Sequence, residues 1–258
     1  MLKVVELSYK TILDNINIKF KKNKINLISG SNKSGKTTFI KILGGIINSS
    51  DSVFYNNKDI SKCSSKVLSN DIATILDNYE YIFATMNQEL AYIIDLIDID
   101  DKVLNERLIE LLDMFNLADY LYKDINLLSD NVKIKFMLVS KLLSNPKILI
   151  LDNVLDKIEI NDSLNIINIL KQIDNLTIII SSNNLELSVC CDYLYIFDNG
   201  KLILSGSRNS VLSNDSILNK IGLNLPFMAD LSIKLKYYNL LYDIEFNMDR
   251  MIDILWKD

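Results

Sequence analysis

The run Gly30-Ser31-Asn32-Lys33-Ser34-Gly35-Lys36-Thr37 holds the residue types that grip a chain of phosphates. Its spacing fits G-x-x-x-x-G-K-[ST], in which two glycines let the backbone wrap the phosphates at close range. An apolar run, Ile25–Ser29, precedes it, and Phe39, Ile40, Leu43 and Ile46 follow at helical spacing. Strand, loop and helix thus come in the order the chemistry requires, with the unpaired N–H groups of the helix start facing the anion. The segment from Gly30 to Thr38 is expected to line this cradle. Lys36 supplies a cation to the outer phosphates and Thr37 a hydroxyl to Mg²⁺. Such a site also needs an acid on a neighbouring strand to hold the metal through water. Lys147-Ile148-Leu149-Ile150-Leu151-Asp152 ends on one, which makes Thr37 and Asp152 the expected metal pair.

The elements around these residues follow from periodicity. Alternating apolar positions predict strands over Val4–Tyr9 and Ile16–Phe20, and a further hairpin strand within 51–60. Ile72–Leu76, Ile148–Leu151 and Thr177–Ser181 read as buried strands, and Lys36–Ile47 and Ser163–Ile173 as amphipathic helices. Tyr193–Phe197 and Lys201–Leu204 flank Asp198-Asn199-Gly200, a hairpin with an Asn-Gly turn. Residues from about 78 to 143 are helical in pattern, with Leu104, Leu108, Leu111, Leu112 and Phe115 on one face, and helical patterning returns after Gly206. Strands alternating with helices predict an α/β fold with a mostly parallel sheet, interrupted by a helical insert.

Composition narrows the function. Hydrophobic residues make up 49% of 258 and charged residues 24%, enough to bury a sizeable core. No apolar run approaches the roughly 20 residues of a membrane span, and the opening MLKVVELSYK does not read as a signal peptide, so a cytosolic chain is expected, any membrane link coming through a partner. The chain has no histidine, which removes the commonest general base and metal ligand, and Cys63, Cys190 and Cys191 have no metal-ligand spacing. Residues 1–41 carry nine lysines against Glu6 and Asp14 in a chain of net charge −5. A basic amino-terminal lobe on an acidic protein suits a compact phosphate ligand, not a nucleic-acid partner.

Further motifs lie beyond the loop. Leu127-Leu128-Ser129-Asp130-Asn131 opens a segment running through Lys133–Lys147 into Asp152; Phe83-Ala84-Thr85-Met86-Asn87-Gln88-Glu89-Leu90-Ala91-Tyr92 lies upstream; Ile221-Gly222-Leu223-Asn224-Leu225-Pro226 and then Leu231–Lys236 lie near the end. Together with the phosphate loop, these segments resemble the ABC ATPases, and within them the ATPase subunits of energy-coupling factor importers, over nearly the whole chain. The resemblance implies a P-loop ATP-binding domain over 1–206, with an inserted helical subdomain at about 78–143, and a helical carboxy-terminal extension over 207–258. It implies ATP and Mg²⁺ as ligands, Tyr9 against the adenine, and Ser129 as the serine of a signature that completes the ATP site of a second subunit. The implied partners are a second ABC ATPase subunit in a heterodimer and an integral membrane coupling subunit. The implied location is peripheral, on the cytoplasmic face of the membrane.

Departures from the family pattern are equally specific. Its Q-loop glutamine falls at Asp77, its catalytic glutamate at Asn153 and its switch histidine at Asn183; Asp130 and Asn131 replace two signature glycines, and Lys33 replaces a loop glycine. Asn153 cannot take a proton from water, and a general base contributes about 10²–10⁴ in rate. Binding is therefore expected to outlive hydrolysis. Two readings remain open on the sequence: a transport ATPase subunit working with a more complete relative, and a non-hydrolysing nucleotide-dependent sensor or structural subunit. A soluble ABC protein acting on nucleic acid would call for a second nucleotide domain or long coiled coils.

Overall fold

The computed structural model describes residues 1–64, 68, 70–77, 80–97 and 99–256. Parts of the 78–143 insert, namely 78, 79 and 98, lie outside the described residues. Two sheets organise the chain. In the first, β1 (Leu2–Tyr9) pairs antiparallel with β2 (Leu13–Lys19) and β4 (Val53–Tyr55), and β4 pairs with β5 (Lys58–Asp59). In the second, β3 (Ile25–Gly30), β6 (Ile72–Ile75), β7 (Ile148–Asp152), β8 (Thr177–Ser181), β9 (Tyr193–Asp198) and β10 (Lys201–Ser207) run in the order β10-β9-β3-β8-β7-β6. That sheet is parallel except at the β9–β10 hairpin.

The apolar runs of β3, β7 and β8 exist because both faces of this sheet are covered. Leu27, Leu149, Leu151, Ile178 and Ile180 join one core, while Ile28, Ile148, Ile150 and Ile179 join the other. Successive side chains alternate between faces, so each strand feeds both cores. Each fully buried aliphatic side chain contributes about 1.5–3 kcal/mol. On one face, α1 (Lys36–Leu43) inserts Phe39, Ile40, Ile42 and Leu43 between the two sheets. On the other lie α2 (Met86–Leu96), α3 (Asp101–Phe115), α4 (Asp130–Leu142) and α5 (Ile160–Leu170), with Met86, Leu111, Phe115, Phe136 and Ile166 buried. Past β10 come α6 (Arg208–Leu212), α7 (Asp215–Lys220), α8 (Phe227–Tyr237) and α9 (Met248–Leu255). Leu218, Leu223, Ala229, Ile233 and Ile244 from this region enter the same core as the helical insert.

Element bounds shift by a few residues, as at β2, which spans Leu13–Lys19 rather than Ile16–Phe20, and at α5, which spans Ile160–Leu170 rather than Ser163–Ile173; two differences have a clear cause. The first helix ends at Leu43 rather than Ile47 because Gly44 caps it and Gly45 turns at φ 70°. The strands near the amino terminus form an antiparallel sheet of their own, so the parallel character belongs to the larger sheet only. The Asn-Gly turn is as read: Asn199 and Gly200 both have positive φ, 45° and 77°, as a type I′ hairpin requires. Among the described residues, no helix is long and apolar enough to cross a membrane.

Candidate functional site

The carboxyl ends of β3, β8 and β7 lie side by side, and a ligand of an open α/β sheet binds at such ends. The loop leaves β3 at Gly30, where an added Cβ would meet the Phe197 carbonyl oxygen at 2.1 Å, so only glycine fits. Gly35 begins α1 at φ 98° with no side-chain cap, leaving the first N–H groups of the helix open. The β9–β10 turn braces the loop from behind: Gly200 N–H donates to Ser34 O at 3.1 Å, and Ser31 Oγ to Asp198 Oδ1 at 3.3 Å.

Lys36 is buried, and its Nζ donates to Gly30 O at 2.8 Å, Ser31 O at 2.9 Å and Ser34 Oγ at 3.2 Å. The ammonium thus sits on the loop's own carbonyls, within the curl of the cradle. Burial pulls its pKa below the ordinary lysine value, while Asp156 and then Asp152 oppose that shift. Thr37 Oγ1 donates to Asp152 Oδ1 at 3.4 Å, joining the loop to the end of β7. Burial raises the Asp152 pKa above the usual carboxylate range, against hydrogen bonds from Ser181 and Thr37 that lower it. A buried carboxylate that is costly to ionise is one that a divalent cation would stabilise. The donors are hard oxygens and few, the set suited to Mg²⁺, which keeps most of its waters.

A cavity of about 350 Å³ opens over the loop, lined by Ile12, Asn32, Lys33, Ser34, Gly35, Lys36, Thr37, Thr38, Asn153 and Asn183. Asn153 and Asn183, distant in sequence, therefore meet the phosphate loop. Asn153 has φ 51°, a left-handed conformation that asparagine tolerates better than most residues. Its Nδ2 donates to Asp152 Oδ1 and its Oδ1 accepts from Ser181 Oγ, both at 3.4 Å. Asn183 Nδ2 donates to Asn32 Oδ1 at 3.0 Å, bridging β8's end to the loop.

Six expected residues lie outside that lining: Gly30, Ser31 and Asp152, whose contacts are given above, and Tyr9, Asp77 and Ser129. Tyr9 is half-buried with the Lys10 amine 5.3 Å from its ring centre, and Ile12 takes the place at the cavity wall. Asp77 pairs with Lys157 at 2.5 Å. Ser129 caps α4, its Oγ accepting from Val132 N–H at 3.4 Å, and Asn131 Oδ1 is buried without a hydrogen-bond partner. Two contributors carried no motif: Ile12, and the Gly200 N–H that supports the loop.

Comparisons with known proteins bear on the family and the fold. Residues 13–156 match the ABC transporter family. The chain is 28% identical over 257 residues to the energy-coupling factor transporter ATP-binding protein EcfA1 of Mesomycoplasma hyopneumoniae, covering 95% of this chain and 91% of that protein. EcfA1 of Ureaplasma parvum is 25% identical over 255 residues, covering 96% and 87%. The solved structure of cbiO1 from Clostridium perfringens, part of the ABC transporter complex cbiONQ, has a TM-score of 0.75. It covers 89% of this chain and 97% of that one at 24% identity, a likeness of fold.

Proposed function

The chain belongs to the ABC transporter family, and on that premise we propose that it is an ATP-binding subunit of an energy-coupling-factor-type importer whose own site binds Mg²⁺–ATP but hydrolyses it poorly. The observation that carries this reading is the contrast around the phosphate loop. Lys36 lies on the loop carbonyls and Thr37 is hydrogen-bonded to Asp152, while Asn153 and Asn183, which line the loop cavity, occupy the positions that the family resemblance gives to a base and a histidine. The chain has no histidine elsewhere to take the second role.

The roles we assign rest on the family resemblance together with the geometry of the loop. The glycines and the α1 start bind the phosphates through N–H groups, with Ser31, Asn32, Ser34 and Thr38 along the same path. Lys36 turns from the loop carbonyls to the outer phosphates, and Lys33 adds an exposed cation at the rim. Thr37 and Asp152 hold Mg²⁺, which when bound neutralises phosphate charge. Asn153 orients water without accepting its proton, and Tyr9 or its neighbour Ile12 borders the base. Ser129 belongs to a second site, completed with another ATPase subunit, and Asp130 beside it places like charge against phosphate there. A heterodimer with a more complete subunit supplies what each site lacks. The nucleotide unit is 1–206 and the carboxy-terminal unit 207–258. An integral membrane subunit, docked near Asp77 on the cytoplasmic face, carries a small nutrient.

Titration calorimetry of the isolated chain with Mg²⁺–ATP tests the site. Lys36→Ala should weaken binding at least about tenfold, the worth of one charge-assisted contact at 1.5–3 kcal/mol. Equal affinity in both proteins would remove the phosphate-loop reading. A second reading, a nucleotide sensor that never hydrolyses, is favoured by the same Asn153 and Asn183. ATP turnover measured with a partner ATPase subunit decides between them, since the sensor predicts none above the partner's own rate.

A further inference from the structure

The short turn Val154–Lys157 after β7 touches two of the departed positions at once. Lys157 holds Asp77 through an ion pair at 2.5 Å and also donates to the Asp77 carbonyl. Its neighbour Asp156 reaches the other way. One carboxylate oxygen of Asp156 accepts from the buried Ser182 Oγ, and the other accepts from the Asn183 N–H at 3.0 Å. Asn183 in turn donates from its carboxamide to Asn32 on the loop.

Asp156 does not line the phosphate cavity. It lines a neighbouring cavity of about 450 Å³ with Ile158, Ser163, Asn183 and Asn224, so Asn183 is the wall the two spaces share. A side chain so placed cannot touch a nucleotide in the first cavity. It can fix the residue that does.

We propose that Asp156 is a positioning residue that grips Ser182 and Asn183 so that the Asn183 carboxamide, released from Asn32, donates to the terminal phosphate of ATP. This rests on the nucleotide reading above and deepens it by assigning discrimination between tri- and diphosphate to the Asp156–Asn183 pair. The gripping carboxylate is bidentate, and charge-assisted hydrogen bonds hold geometry better than neutral ones. Asn183 is exposed at the mouth, where an ungripped turn would sample many orientations and lose the contact to entropy.

The charge of Asp156 also acts at a distance, because it is the foremost anion opposing the burial of the Lys36 ammonium. This makes the proposal separable by sign. Removing a negative charge near the phosphates should by itself favour ATP, the more highly charged ligand, over ADP. Removing a positioning group should do the reverse.

The experiment is the ratio of ADP to ATP dissociation constants, by calorimetry on the full chain, for the unmodified protein, Asp156→Ala, Asp156→Asn, Asn183→Ala and the double alanine variant. Asp156→Ala should lower the preference for ATP about three- to tenfold, up to the worth of one hydrogen bond. Asp156→Asn, keeping one acceptor, should fall between. In the Asn183→Ala background Asp156→Ala should change the ratio no further, since a residue acting through another has nothing left to act on. A raised ATP preference in Asp156→Ala, or equal loss of both nucleotides with a lowered Tm, would overturn the proposal and leave the nucleotide site standing. No binding of either nucleotide to the unmodified chain would overturn the parent reading and this one together.

Discussion

The start of α1 and the start of α4 are both helix amino-termini, and they are built in opposite ways. At α1 the cap is a glycine with no side-chain bond, and the lysine that follows is buried on the loop carbonyls. At α4 the cap is Ser129, whose hydroxyl is spent on its own helix, and the first residue is the exposed acid Asp130. The first therefore leaves its N–H groups and a cation for a ligand within this chain. The second presents an exposed negative charge, its cap hydroxyl already engaged, and no cavity joins it to the loop among the described residues. On the proposed function, residues assigned to this chain's own ligand are tied together by the fold, and those assigned to a second subunit's site face outward.

The largest effect that could break this contrast is repair of the hydrolytic side. With a partner of intact signature, Asn153→Glu with Asn183→His should raise turnover at this site by about 10²–10⁴. The gain should exceed the product of the single gains, because the two groups act on one water and one phosphate. The left-handed backbone at residue 153 costs glutamate roughly 1 kcal/mol, so the single Asn153→Glu variant should be slightly less stable. Steady-state hydrolysis by the four variants decides it, and strictly multiplicative gains would show that the two positions are independent.

Next comes the loop itself. Gly30→Ala places a methyl at 2.1 Å from a backbone carbonyl that β9 cannot move, so the loop must leave its place. The expected cost is about 3 kcal/mol, with loss of ATP binding and a fall in Tm on thermal unfolding. Unchanged affinity would mean that the loop's closeness to β9 is not what shapes it.

A smaller effect sharpens the metal assignment. Asp152 has its pKa raised by burial, so its contribution to stability is fullest below the ordinary carboxylate pKa and is lost as pH rises through the raised value. Asp152→Asn should thus raise the Tm of the nucleotide-free chain at pH 7, less whatever attraction to Lys36 is lost. The gain should vanish in acid, and the variant should lose the extra stability that Mg²⁺ adds with ATP. Melting curves at two pH values, with and without Mg²⁺, measure both, and a destabilised variant at pH 7 would show that the carboxylate is held mainly by attraction.

Most of this site was legible in the sequence because its parts are local. The loop, the strand before it and the helix after it occupy one stretch of chain, and Asp152 ends a run of four buried aliphatic residues. What was not legible is adjacency. Nothing in Thr177–Ser181 says that β8 stands between β3 and β7, yet that order brings Asn183 to Asn32. Asp156 offered only a carboxylate four residues past Asp152, on a turn whose direction is set by the left-handed Asn153. The Asn199–Gly200 turn was read correctly as a hairpin, but its use as a brace depends on β9 pairing with β3. Tyr9 ends β1 and Ile12 lies in the turn to β2, and which of them borders the cavity is decided by that turn.

The smallest effect concerns Lys33, where two consequences of one substitution have opposite signs. Lys33 sits at φ 64°, a conformation in which a side chain costs about 1 kcal/mol relative to glycine. It is exposed at the rim of the cavity, so its charge reaches a phosphate only through water and salt. Lys33→Gly should raise stability by up to about 1 kcal/mol, less the entropy that glycine adds to the unfolded chain. It should also weaken ATP binding by a few-fold, and that loss should shrink as salt is added, because a screened rim charge is all that was removed. Calorimetry at low and high salt, beside a melting curve, separates the two. A loss of affinity that salt does not change would mean that Lys33 makes a direct contact, and that this loop has replaced a glycine's freedom with a second phosphate ligand.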